Sequence, residues 1–304
     1  MPRAERVDLR GLSTHVMHWG DESAPKLFML HGWMDVGASF QFVVDALQAR
    51  WHVIAPDLRG FGRSDWQPQG YWFADYVADL DALLARFSPN EPANLIGHSL
   101  GAHVVMHYAG VRRSRVATLV ALDGFGIPAE SADRAPYKFT RWLDALEQPV
   151  AFSPYDSFDA VAQRLLKNDP RLTRDKAAFL ARHWAAESTD GKVRLTSDPR
   201  HKLPFPTVYR IEEVYAIWRR ITARTLWVAA RDSHIRAWLD HRSPEEVLDK
   251  PLAEIRLRMA HILDATLFEI PDAGHMLHHD QPEAVAHAIE RFNKNLRVDQ
   301  VPRR

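Results

Sequence analysis

The stretch Ala93-Asn94-Leu95-Ile96-Gly97-His98-Ser99-Leu100-Gly101 limits what this chain can become more than any other. A short apolar run reads as a buried strand, Gly-x-Ser-x-Gly turns the chain sharply, and a helical pattern follows through Arg112. The turn would hold Ser99 in strained backbone geometry, and side chains at 97 or 101 would collide with the neighbouring strand and helix. A hydroxyl is thereby held clear of the sheet at a helix N-terminus, where the next backbone N–H can bind a developing oxyanion. A Ser that only caps a helix would fit the same pentapeptide. The strand before it and the helix after it are the context a nucleophile turn needs.

The flanking pattern repeats this strand-then-helix logic. Val7–Leu9 and Thr14–Trp19 read as short strands joined at Arg10-Gly11, and Leu27–Leu30 and Val53–Ala55 as buried strands. Phe40, Val43, Val44 and Leu47 have helical spacing after a capping Ser39, and Tyr76, Leu80, Leu83 and Leu84 mark a helix ending near Phe87. The helix Ala102–Val111 and the strand Val116–Leu122 follow the Ser turn. Buried strands alternating with helices predict an α/β class, with a mostly parallel sheet flanked by helices on both faces.

After Asp123-Gly124-Phe125-Gly126 the rhythm breaks. Residues 127–220 carry prolines at eight places and candidate helices at Arg141–Leu146, Val161–Leu166, Lys176–Ala186 and Ile211–Arg220, with no strand as clear as those before. The sheet resumes at Thr225–Ala230, and Ala265–Ile270 is a last strand. Ser243-Pro244-Glu245-Glu246 looks like a capped helix start, Leu252–Leu263 another helix, and Pro282–Leu296 a closing amphipathic helix with a frayed tail from Arg297. The expected division is therefore a core of 1–126 and 221–304 interrupted by a helical cap, 127–220.

A Ser nucleophile needs a base, and in an open α/β sheet the site lies at the C-terminal ends of the strands. His275 stands on the loop after the last strand, in Pro271-Asp272-Ala273-Gly274-His275, and is the candidate. Its rivals are His278 and His279, which otherwise read as helix-start surface or pocket lining, and His98 beside the Ser, which otherwise reads as substrate-binding. No carboxylate-rich or His-Glu-x-x-His pattern accompanies these histidines, so no metal is expected. The acid that orients His275 has two candidates, both at strand ends: Asp123 after Val116–Leu122, and Asp232 in Ala230-Arg231-Asp232-Ser233. Both stay open, with Asp123 slightly ahead. The oxyanion donors should be the N–H of Leu100 and that of Trp33 in His31-Gly32-Trp33-Met34, where Gly32 permits a close turn. Gly60-Phe61-Gly62 lacks the third Gly and acidic partner of a dinucleotide fingerprint, so no nucleotide cofactor is expected.

Composition narrows the partners. Lys+Arg and Asp+Glu both total 39, which leaves no net field for nucleic acid or acidic lipid. The absence of Cys excludes disulfides, thiolate metal sites and a Cys nucleophile. The first residues lack the apolar stretch of a signal peptide, and no apolar run approaches the ~18 residues of a membrane span. The expectation is a soluble cytoplasmic protein acting on a small molecule; the oligomeric state is not legible.

Taken together these segments resemble the α/β-hydrolase superfamily. His31-Gly32-Trp33, the Asp57-x-x-Gly60-x-Gly62-x-Ser64 turn, Gly97-His98-Ser99-Leu100-Gly101 and Gly274-His275 occur in that family's order. His31-Gly32-Trp33-Met34-Asp35 with Ser39-Phe40 looks most like the serine hydrolase-like and carboxylesterase branches. The resemblance implies Ser99 as nucleophile, His275 as general base, and the amides of Trp33 and Leu100 as oxyanion hole; His31, Gly32 and His98 are the candidate substrate-binding residues. The family usually carries its acid two or three residues after a Gly ending the late strand. Here the Gly is Ala230 and Asp232 comes one position early, whereas a minority of the family places the acid where Asp123 stands. The implied activity is ester cleavage through an acyl-enzyme. Thioesterases, amidases, carbon–carbon bond hydrolases and non-catalytic ligand receptors of the same fold are the alternatives.

Overall fold

The structure is a computed structural model and describes residues 2–235 and 252–299, with side chains described as far as Asn293 in the last helix. Ten strands run in chain order as β1 (Arg3–Leu9), β2 (Leu12–Trp19), β3 (Lys26–Leu30), β4 (His52–Pro56), β5 (Ala93–His98), β6 (Val116–Leu122), β7 (Ala185–Glu187), β8 (Val193–Leu195), β9 (Arg224–Ala230) and β10 (Ala265–Ile270). The helices are α1 (Gln41–Ala46), α2 (Phe73–Phe87), α3 (Leu100–Val111), α4 (Ala135–Leu146), α5 (Phe158–Asn168), α6 (Arg174–Trp184), α7 (Ile211–Trp218), α8 (Ala253–Met259), α9 (Leu277–Asp280) and α10 (Pro282–Asp299). No described helix is long and apolar enough to cross a membrane.

Eight strands form one sheet in the order β1-β2-β4-β3-β5-β6-β9-β10. The pairs β1–β2 and β2–β4 are antiparallel, and from β4 to β10 every pair is parallel. The strands are apolar at consecutive positions because both faces are covered. Phe28, Leu95, Leu119, Ala121 and Trp227 point to one face, under α2, α3 and α7. Leu27, Met29, Ile96, Val120 and Val228 point to the other, where Phe40 packs from the turn before α1, Val43 from α1, and Val285, Ile289 and Phe292 from α10. Period-2 alternation thus splits one hydrophobic run between two cores.

The cap is inserted between β6 and β9. Its own core is Val161, Leu165, Ala177, Leu180 and Ala181, on which Phe42 of the main body packs. Ser157 caps α5 by accepting from Ala160 N at 3.1 Å, and Thr173 caps α6 by accepting from Lys176 N. Within the same stretch α7 buries Trp218 edge-on against Trp227, at 5.4 Å between rings.

Five expectations about local structure need correction. The inserted stretch is not purely helical: β7 and β8 form an antiparallel hairpin, so the helix expected to run to Ala186 stops at Trp184. The signal was in the sequence, since Asp190-Gly191 is a hairpin turn pair and Gly191 adopts φ 75°. Ser39 does not cap α1; it lies in a short 3-10 turn, Gly37–Phe40, and its hydroxyl donates to Asp35 and to Val36 O. The helix expected over Leu252–Leu263 is confined to α8, because Leu252 is left-handed, at φ 69°. The one expected over Ile211–Arg220 ends at Trp218. The closing helix does not end at Leu296, since α10 continues through Arg297, where fraying was expected, to Asp299; the helix start at Ser243 and the tail beyond Asp299 lie outside the described residues.

Candidate active site

Ser99, Asp123, Asp232 and His275 follow the C-terminal ends of β5, β6, β9 and β10, four strands that are adjacent in the sheet. At Ser99 the backbone takes φ 49° and ψ −112°, outside the ordinary regions for a non-Gly residue. The glycines on either side make this possible. A Cβ on Gly97 would lie 2.3 Å from the Gly101 backbone, and one on Gly101 would lie 2.1 Å from Leu30 O. Strand and helix therefore meet at backbone contact, and the Ser99 side chain has only one way to point.

It points to His275. The Ser99 Oγ to His275 Nε2 separation is 3.0 Å, and His275 Nδ1 stands 2.7 Å from Asp123 Oδ2. The His275 ring keeps slight exposure, whereas the Asp123 carboxylate is fully buried. An isolated buried carboxylate would be costly, but this one is saturated. Oδ1 accepts from Ala230 N at 3.1 Å, and Oδ2 accepts from the Ser233 hydroxyl as well as from His275. Asp123 adopts φ 44°, which turns its side chain back across the end of β9.

Asp232 is not brought to His275. Its side chain is exposed and takes an ion pair from Arg171 of the cap at 2.7 Å, while its N–H donates to Ala273 O. The residue that turns inward from this loop is Ser233, which sequence reasoning missed. Arriving one position early points the acid outward, and the inward place goes to a hydroxyl that serves the other acid.

Leu100 is the first residue of α3, so its N–H has no carbonyl one turn earlier to bond. Neither that amide nor the N–H of Trp33 has a hydrogen-bond partner among the described residues. Both residues line a cavity of about 620 Å³ between cap and main body. Aromatic side chains on its wall include Tyr71, Trp72, Tyr76, Trp142 and Tyr209. Of the cap aromatics, Trp142 is on this wall, whereas Tyr155, Phe158, Phe179 and Trp184 pack on the cap core.

His31, Gly32 and His98, read from sequence as substrate-binding, are buried and do not line this cavity, and neither do Ser99 and His275. His31 is fully buried, with Nδ1 donating to Gly32 O at 2.7 Å and Nε2 accepting from Leu58 N at 2.8 Å. Burial pushes its pKa down. His98 donates from Nε2 to the backbone carbonyl of His275 at 2.8 Å, and a Cβ on Gly32 would press on its ring. Burial lowers the His98 pKa well below the ordinary value. Gly32 is thus needed for His98 to lie flat beneath Ser99.

Behind His98 stand His278 and Asp35, both buried. Sequence reasoning assigned Asp35 no role and set His278 at the surface or on the pocket wall. Asp35 accepts from Ser39 Oγ at 2.8 Å, Trp184 Nε1 at 3.0 Å and His278 Nε2 at 3.4 Å. Burial raises its pKa, but the His278 bond and the nearby His279 and His31 outweigh this and hold the carboxyl well below its usual range. His279 is buried too, not on the surface, and its pKa is pushed well down. Asp35, His98 and His278 each offer one ligating atom within 4.8 Å of the others, so a cation would find its donors here.

The profile of the Alpha/beta hydrolase family matches residues 27–288. The "Serine hydrolase-like protein" of Danio rerio is 25% identical over 298 residues, covering 93% of this chain and 85% of that protein. The "3-hydroxybutyrate-oligomer hydrolase" of Cupriavidus necator is 28% identical over 298 residues, covering 93% of this chain and 94% of that protein. Among solved structures, a thioesterase domain from the curacin biosynthetic pathway superposes with a TM-score of 0.81 at 23% identity, over 95% of this chain and 99% of that one. E-2-(Acetamidomethylene)succinate hydrolase superposes with a TM-score of 0.75 at 23% identity, over 97% and 100% of the two chains. At these identities the superpositions speak for the fold.

Proposed function

The chain belongs to the alpha/beta hydrolase family, and from that premise we propose that it is a serine hydrolase that cleaves carboxylic esters through an acyl-enzyme. The observation that carries this reading is the unbroken hydrogen-bonded series from Ser99 Oγ through both nitrogens of His275 to Asp123. His275 Nε2 takes the Ser99 proton as Oγ attacks the ester carbonyl, and Asp123 holds the Nδ1–H tautomer and steadies the imidazolium. Negative charge that develops on the carbonyl oxygen meets the unspent amides of Leu100 and Trp33. His275 then protonates the leaving alkoxide, and water, deprotonated by the same imidazole, releases the acid and restores Ser99.

The test is hydrolysis of p-nitrophenyl acetate and butyrate, together with labelling by a fluorophosphonate. Ser99→Ala should abolish labelling and lower kcat by about 10⁴–10⁶. Turnover that survives this substitution would remove Ser99 from the chemistry. Fluorophosphonate labelling without ester turnover would move the reading to the thioester or amide branch.

A further inference from the structure

Two histidines of α3, absent from the chemistry above, form the floor of the cavity: His103 and His107. Their tautomers follow from what they touch. Gly126 N donates to His103 Nε2 at 2.8 Å, and an N–H can only donate, so Nε2 is bare and Nδ1 carries the proton. His107 Nδ1 lies 2.8 Å from the His103 carbonyl, which can only accept, so its proton is on Nδ1 and Nε2 is bare. Burial pushes both pKa values down, which keeps both rings neutral. Neither His103 Nδ1 nor His107 Nε2 has a partner among the described residues. The floor therefore presents one neutral donor and, one helical turn further on, one neutral acceptor.

Distance from the reacting centre follows from the helix. His103 and His107 are one turn apart on one face of α3, and Ser99 is its N-cap, four residues before His103, so the donor lies about 6 Å and the acceptor about 12 Å along the axis from Ser99. An extended chain advances about 1.2 Å per bond, which makes these about five and ten bonds. The charged side chains on the wall are already answered. Lys138 pairs with Glu130, Arg200 with Asp198, and Glu213 with Arg210. A substrate carboxylate would meet cations whose charge is already balanced, whereas an uncharged oxygen needs no counter-charge.

We propose that His103 and His107 form a polar subsite selecting uncharged acyl chains that carry a carbonyl about five bonds, and a hydroxyl about ten bonds, from the scissile carbon. His103 Nδ1–H donates to the carbonyl oxygen, and His107 Nε2 accepts from the hydroxyl. The aromatic walls cover the methylenes between. Such acyl groups are medium-chain hydroxyacyl groups with an internal keto or ester carbonyl. The inference rests on the ester-hydrolase reading above.

The test compares the p-nitrophenyl ester of 9-hydroxy-5-oxononanoic acid with p-nitrophenyl decanoate, a chain of equal length without the two oxygens. Wild-type protein should prefer the oxygenated ester by at least about tenfold in kcat/KM. That ratio should collapse toward one in His107→Leu and in His103→Phe; the ratio is read within each variant, so a partly folded preparation does not distort it. Ser99-dependent cleavage of both esters without preference, or variants that keep the preference, overturns the subsite and leaves the esterase reading intact. If neither ester is cleaved, calorimetric binding of 9-hydroxy-5-oxononanamide decides. Affinity weakened at least about fivefold by His107→Leu upholds the subsite although the esterase reading fails, and unchanged affinity overturns both.

Discussion

The carboxylate of Asp123 reaches Nδ1 of His275 at 2.7 Å although β9 lies between the strands that carry them. The left-handed turn at Asp123 accompanies this crossing. Ala230 donates its N–H and Ser233 its hydroxyl, so the intervening strand end holds the acid in place without supplying one. Asp123 thereby does what a residue on the β9 loop would otherwise do.

It follows that the two acids should separate cleanly in kinetics. Asp123→Asn is expected to lower kcat on p-nitrophenyl butyrate by about 10⁴, through loss of the tautomer that leaves Nε2 free to take the Ser99 proton. Asp232→Asn should stay within about threefold of wild type, since it loses only an exposed pair with Arg171. Comparable losses in the two variants would contradict the assignment.

Ser233→Ala removes one of the hydrogen bonds to Asp123 without touching His275. We expect kcat to fall about tenfold with KM little changed, read by steady-state kinetics. Ser233→Thr, which keeps the hydroxyl, should recover most of that loss.

Asp35 is expected to matter for stability. It is a buried carboxylate holding Ser39, Trp184 and His278, and through Trp184 it ties the cap to the main body. Asp35→Ala should cost about 3–5 kcal/mol in urea unfolding, because the partners are left buried and unpaired. Asp35→Asn should cost less, since an amide oxygen can still accept. Equal costs would mean that the charge, not the hydrogen bonding, is what the site needs.

Acid should loosen the cap at Asp198. This carboxylate is buried, which raises its pKa, but bonds from Arg200 and Tyr71 outweigh burial and hold it below the ordinary 3.8. A depressed carboxylate contributes its stability in full above 3.8 and loses it as pH falls through the lower folded value. In Asp198→Asn the Tm should be lower at pH 7 and fall less steeply than wild type below about pH 4. Parallel curves for the two proteins would show that Asp198 does not contribute to acid unfolding.

How much was legible depended on whether a property was local. The parallel sheet, the Ser99 turn and the position of His275 could be read directly, because apolar runs and glycine spacing act over a few residues. Gly97 and Gly101 show why: backbone contact at both leaves no other residue a place. Tertiary structure decided the rest. Asp123 and Asp232 both end strands, and only the twist of each loop tells which turns inward. His98 and His31 sit beside the reacting groups in sequence yet face the interior, because burial is set by what packs over them. The Asp35–His278 bond joins residues 243 positions apart, and no spacing rule spans that. Short-range geometry wrote the strand, the turn and the place of Ser99 into the chain. The choice of acid, the unspent amides and the paired histidines of the cavity floor arise where distant segments meet, since a hydrogen bond depends on direction that residue order does not carry.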